Sequence, residues 1–402
     1  MRDFNWLWTG QTISLFGSAV SRLAIPTTAI FALHASSFEV GALGAATFIA
    51  FPVLGVFAGV WVDRWPRRRI LIVSDIVRAL ALATIPLAAA LHALTLTQLF
   101  AVALVTSVGS VFFDVAYQAY LPDLVAVEGL TDANARLELS NSAAQIGGNA
   151  AAGGLIAALG SPLTVAVDAA SFMLSVATLL CIRRPAAPRP AGVVQTQTFR
   201  RQVRDGLNCV FSNAALLRIV ACTATSNFGG SMLGAVYLVF TYRTLHLSPS
   251  VVGVILAVGN AGFIGALVAP RIVKRFGLAS TLIWSMLLAA VVQAFVPLAA
   301  RGFAIPFLIA EQFVASAATP VYNIAQVSWR QSTVAAELQG RMNATVRTIA
   351  WGTLPLGAIV GGALSERIGI IPTLVVAAIV QVSAVIWLLN QDVRAIEAKA
   401  VP

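Results

Sequence analysis

Twelve apolar stretches, each about as long as a bilayer is thick, run through this chain. They lie at about 11–33, 39–62, 70–91, 96–119, 138–159 and 161–182, and again at about 215–240, 250–272, 278–300, 302–327, 343–364 and 370–390. A helix of about twenty apolar residues crosses the hydrocarbon core. Inside that core only helices and closed barrels satisfy their own backbone hydrogen bonds. The 402 residues are 58% hydrophobic and 10% charged, whereas soluble domains carry about 25% charged residues. The expected fold is therefore an all-α membrane protein of twelve transmembrane helices. The first run, from about Ile13 to Leu33, is long for a signal peptide and is read as the first span.

Residues 183–213 interrupt the pattern. They open with Pro185, Pro188 and Pro190 and end in a basic amphipathic segment. This reads as a cytoplasmic linker with a surface helix between an N-terminal six-helix bundle, 1–182, and a C-terminal one, 214–402. Placing the N-terminus in the cytoplasm puts Arg2, the Arg64–Arg69 cluster, Arg136, Arg271, Lys274, Arg275, Arg330, Arg341, Arg394 and Lys399 inside. Arg243, Arg301 and Arg367 fall outside. That bias predicts an N-in, C-in topology. His34, His92 and His246 then lie in outside loops and read as interfacial residues, with a pH sensor the alternative. The net charge of +10 is scattered among apolar runs, so nucleic-acid binding is excluded. Three cysteines without metal spacing give no disulfide framework and no metal site.

The halves resemble each other. Gly59 with its basic turn matches Gly265 with "RIVKRFG", Tyr117 matches Tyr322, and Gly153 matches Gly361. The offsets are 206, 205 and 208 residues, so two parallel repeats are expected.

The stretch "GVWVDRWPRRRI" (59–70) places Asp63, Arg64, Arg67, Arg68 and Arg69 in the turn between spans two and three. Water tolerates these charges there and hydrocarbon does not. Gly55, Gly59 and Asp63 are four apart and share one helix face. The stretch resembles the loop 2–3 signature of the major facilitator superfamily, G-x-x-x-D-R-x-G-R-R, at Gly59, Asp63, Arg64, Arg67 and Arg68, with Pro66 in place of glycine. "YLPDLVAVEGLTDANARLELSNSAAQIGGNAAAGGLI" is similar to bacterial macrolide-efflux and siderophore exporters. Asn149 stands where the antiporter motif of helix five has proline, and Pro355 with Gly357, Gly361 and Gly362 gives a similar pattern in helix eleven. The resemblance implies the major facilitator fold. It also implies a conformational latch at Gly59, Asp63, Arg64, Arg67 and Arg68, with Asp123 as partner of Arg67.

Ionisable groups at bilayer depth need a partner or a watered cavity, because each costs roughly 2.5–3.5 kcal/mol. Arg22, Asp114, Asp168 and Glu311 lie at that depth, and Asp75 with Arg78 on span three reads as a structural pair. The superfamily's cavity is lined mainly by helices one, four, seven and ten, which carry Arg22, Asp114 and Glu311. Arg22 is expected to be held by an acid, or to bind an anionic group of the substrate, because it does not lose its proton. Asp114 or Glu311 is expected to carry protons, with Asp168 a third candidate. Tyr117, Gln118, Gln145, Asn227, Tyr322 and Asn323 are candidate contacts for a bulky amphipathic ligand.

No G-x-x-x-x-G-K-[ST] loop, nucleophile motif or metal-ligand pair occurs, so an ion gradient is the expected energy source and no enzyme activity or cofactor is expected. The expected function is proton-coupled efflux of a drug, macrolide or siderophore by a monomer in a bacterial plasma membrane. Lys274 and Lys399 are the only lysines among 26 basic residues, which suggests a GC-rich genome. Uptake by the same fold and a non-transporting receptor are the alternatives. If Asp63 is a latch, Asp63→Asn abolishes transport while membrane expression stays near the wild-type level. Normal initial transport rates would remove that role.

Overall fold

A computed structural model of the protein describes residues 2–62, 65–125, 129–183 and 199–393. The described residues are helical, without strands. They form two compact units: Met1–Pro190 with His246–Ala257, and Ala191–Leu245 with Val258–Pro402.

In the first unit, α1 (Arg2–Phe31) packs on α6 (Leu130–Leu159) and α7 (Ser161–Leu180). The long α4 (Arg67–Ala90) lies against α7 and α5 (Leu96–Leu124). The expected second span is two helices, α2 (Ser37–Phe48) and α3 (Ala50–Val62), both against α5. A capping box starts α2: Glu39 N–H donates to Ser36 Oγ at 3.2 Å, and Ser36 N–H donates to Glu39 Oε2 at 2.7 Å.

In the second unit, α8 (Phe199–Phe211) is the amphipathic helix expected after the linker. Its Val210 is buried with Met342 and Val346 of α14 (Ala336–Ile368), and Arg341 donates to Asp205 at 2.8 Å. α9 (Ala214–Val239) packs on α14 and α15 (Ile370–Ser383). α12 (Leu278–Ala294) packs on α13 (Ala304–Thr333). The run 250–272 is again broken, into α10 (Pro249–Asn260), most of which belongs to the first unit, a 3-10 turn over Ala261–Ile264, and α11 (Gly265–Phe276).

Eleven segments among the described residues are long and apolar enough to span a bilayer. The remaining run, 138–159, lies in the 30-residue α6, where Gln145, Asn149 and four glycines lower its hydropathy below that measure.

The repeat shows in the backbone. His34 and His246 both have φ of 52°, and His92 and Phe303 both have φ of 53°. Gly160 (φ 80°) and Gly369 (φ 90°) each join two helices with a single residue. Gly277 (φ 80°) does so between α11 and α12, whereas Pro66 with φ of −59° precedes α4. Proline cannot adopt the positive φ, so this connection differs between the halves.

Glycine allows α11 to start against α13: a Cβ on Gly265 would strike the carbonyl of Ala317. Gly44 in α2 faces open space. Gly265→Leu should lower the melting midpoint in detergent by an amount equivalent to about 1–3 kcal/mol of overpacking. Gly44→Ala should leave the midpoint unchanged or slightly raised.

Candidate functional site

Within the first unit, polar side chains of α1, α4, α6 and α7 meet inside the apolar bundle. Gly17 on α1 faces Ser171 and Asp168 of α7, and the missing side chain lets the helices approach. Asp168 is 3% exposed, and its Oδ1 accepts from Ser18 Oγ at 3.3 Å and Ser171 Oγ at 3.2 Å. Hydroxyl donors thus stand in for water around a carboxyl that hydrocarbon would not solvate.

Asp75 and Arg78, one turn apart on α4, form the expected ion pair, and both are buried. The guanidinium carbon of Arg78 lies 4.1 Å from the ring centre of Phe172 and 4.5 Å from that of Phe113. These two rings stabilise a charge that has left water. Arg22 departs from expectation. Its Nη2 donates to Gln145 Oε1 at 3.0 Å, so an amide rather than an acid takes the hydrogen bond. Asp168 is near enough to act on Arg22 electrostatically, but it is committed to serines.

Asp114 is half-buried on α5. Tyr117 stacks on Phe113 with centroids 6.0 Å apart, and its buried hydroxyl has no hydrogen-bond partner among the described residues. Gln118 is exposed. At the end of the same helix, Asp123 Oδ2 accepts from Arg67 Nη1 at 2.6 Å, the pairing the family signature implied. Arg67 also donates to Ala119 O at 2.6 Å. Arg68 donates to the carbonyls of Leu179 and Leu180, both at 2.9 Å, and so caps the end of α7. Gly59 is helical in α3; Asp63 and Arg64 lie outside the described residues.

Within the second unit, Glu311 on α13 is 5% exposed, and its Oε2 has no hydrogen-bond partner among the described residues. The buried hydroxyl of Tyr237 on α9, close enough to interact with Glu311 electrostatically, also lacks one. Beside Glu311, Gln312 donates to Asn260 Oδ1 at 3.1 Å.

Three predicted contacts, Asn227, Tyr322 and Asn323, do come together, but around a cavity of about 70 Å3. A drug-sized site needs roughly 300–1,000 Å3, and this one has room for about two waters. Tyr322 shares a hydrogen bond of 2.9 Å with Thr223, and Gln381 donates to Gln293 Oε1 at 2.8 Å. Asn227 donates to Ala350 O and Ser231 to Leu354 O, both at 2.7 Å. They hold α9 to α14 beside Pro355, whose missing N–H loosens the ladder there. Asn227 thus ties α9 to α14 at the rim of this cavity.

Gln293 and Gln381 were not among the amides singled out from the sequence, although they meet in the structure. Sequence reasoning also missed Arg347, whose guanidinium lies 4.3 Å over Trp351 one turn on; Arg330, read as one of the inside basic residues, is buried, and its Nε and Nη1 have no hydrogen-bond partner among the described residues. Among the described residues no cluster of metal-ligating side chains occurs.

Comparison with known proteins bears on this arrangement. Residues 7–349 match the Major Facilitator Superfamily profile. The chain is 27% identical over 366 residues to "Multidrug efflux pump Tap" of Mycolicibacterium fortuitum, covering 88% of this chain and 87% of the other. It is 24% identical over 376 residues to "Macrolide efflux protein A" of Streptococcus pyogenes, covering 91% and 90%. Among solved structures, a bacterial homologue of the iron transporter ferroportin, inward-facing, superposes with a TM-score of 0.75 at 18% identity, covering 97% of this chain and 99% of that one. The nucleoside transporter NupG does so with 0.76 at 14%, covering 97% and 98%.

The pair Arg67–Asp123 is mostly shielded, with side chains 16% and 15% exposed. A double-mutant cycle of Arg67→Ala and Asp123→Ala, read by unfolding in detergent, should give a coupling of about 1–3 kcal/mol. A value near zero would make it an ordinary solvated pair.

Proposed function

Because the chain belongs to the major facilitator superfamily, we propose that it is a secondary active exporter that couples outward movement of a small amphipathic compound to proton entry. It is a multi-pass protein of the bacterial inner membrane, and its relatives are transporters rather than enzymes. The observation that carries the export direction is similarity along nearly the whole chain to two efflux proteins. Its topology on this reading is twelve spans, N-in and C-in, with bundles 1–182 and 214–402 joined by the linker 183–213. The protein works as a monomer by alternating access, with the charged turn at 63–69 as latch.

Glu311 and Asp114 are the proposed proton carriers. Glu311 has the stronger support, since a buried carboxyl without a fixed partner is free to change protonation state. Asp168 is held by hydroxyl groups and is the lesser candidate. One proton crossing 100 mV releases roughly 2.3 kcal/mol, which raises the attainable outward gradient about fiftyfold.

Everted membrane vesicles test this. Acidified vesicles should lose protons when a transported drug is added, and the combined Asp114→Asn and Glu311→Gln variant should abolish that release. Release that survives in the double variant would refute the carrier assignment. Movement in the opposite direction would replace export by uptake.

A further inference from the structure

Among the described residues, Arg67 pairs with Asp123, Arg78 with Asp75, Arg218 with Asp392 and Arg341 with Asp205. Arg22 makes no such pair; its hydrogen bond goes to the neutral amide of Gln145 at 3.0 Å. Arg22 also stands apart in exposure. From Gly10 to Ile30 every other residue of α1 is buried or half-buried, and Arg22 alone is exposed. It lies nine residues, or about 14 Å, from the end of the helix at Phe31. A guanidinium at that depth is costly against acyl chains, which favours an aqueous passage over lipid as its surroundings.

The nearby acid does not neutralise it by contact. Asp168 is buried, accepts from Ser18 and Ser171, and forms no ion pair with Arg22. Arginine has five N–H donors and keeps its charge. Gln145 accepts one of them. The rest form a planar fork that matches a carboxylate or phosphate group through two parallel hydrogen bonds.

We infer that Arg22 anchors an anionic group on the cargo, so that the exported compound is an amphipathic organic acid. The inference rests on the exporter reading and deepens it. It also makes electrical sense, since an anion leaving a cell with a negative interior moves down the membrane potential. Gln145 is a positioning residue here: it holds the guanidinium while the remaining donors stay available.

The test uses the purified full-length chain in detergent. An amphipathic dansyl-labelled carboxylate and its carboxamide are titrated, with binding read by fluorescence anisotropy. The carboxylate should bind at least about tenfold tighter than the amide, as charge-assisted hydrogen bonds are stronger than neutral ones. Arg22→Gln should erase that preference. Arg22→Lys, which keeps the charge and loses the fork, should reduce it, and this variant decides the matter if Arg22→Gln does not survive purification. Equal affinity for the two probes, no binding of either, or a preference unchanged in the variants overturns the inference. Gradient-driven export of a basic macrolide that is unaffected by Arg22→Gln would likewise overturn it while leaving the exporter reading intact. Absence of any gradient-driven export by the wild type would overturn both.

Discussion

Hydrocarbon supplies neither water nor counter-ion, so each polar group within these helices has to be satisfied by another part of the protein. The interior chemistry follows from that demand. Arg78 brings Asp75 and two aromatic rings, and Asp168 is wrapped by hydroxyl groups. Carbonyls around Pro355 are taken by Asn227 and Ser231. Glycines at the crossings make such short contacts reachable, because backbones approach where side chains are absent. Against this background, among the described residues, the buried Oε2 of Glu311 lacks a hydrogen-bond partner, as do the hydroxyls of Tyr117 and Tyr237 and two nitrogens of Arg330, and Arg22 bonds to an amide instead of an acid.

The two halves meet the same demand in different ways. Taking the spacing of 211 residues that relates His92 to Phe303, Asp75 corresponds to Met286 and Arg78 to Ala289. Taking the 209 that relates Gly160 to Gly369, Phe172 corresponds to Gln381. Where the first half holds an ion pair between rings, the second has small or neutral side chains, the Gln293–Gln381 hydrogen bond and the 70 Å3 cavity. An ion pair removed from water is costly to break, whereas an amide pair beside space for water is not. The polar interior of the first half is accordingly the more rigidly specified.

Backbone symmetry has outlasted side-chain symmetry. Breaks recur between α2 and α3 and between α10 and α11, and left-handed residues recur at the corresponding connections. A left-handed conformation costs a non-glycine residue roughly 1–2 kcal/mol. Its recurrence at histidine and phenylalanine alike shows that the connection dictates the conformation and the side chain accommodates it.

The helical class, the apolar spans, the amphipathic helix Phe199–Phe211 and the family all follow from the chain read as text. Each rests on composition over about twenty residues or on a motif of about ten. Contacts within one turn, such as Asp75 with Arg78, are equally legible because a helix sets their spacing. Arg67 with Asp123, 56 residues apart, was named through the family signature. The tertiary structure alone decided that Arg22 meets Gln145, 123 residues away, and that Gln293 meets Gln381, 88 away. It also decided that Asn227, Tyr322 and Asn323 line one cavity of about 70 Å3. Periodicity tells which face of a helix is polar; which neighbour that face meets, and how much room remains between them, depends on how the helices cross.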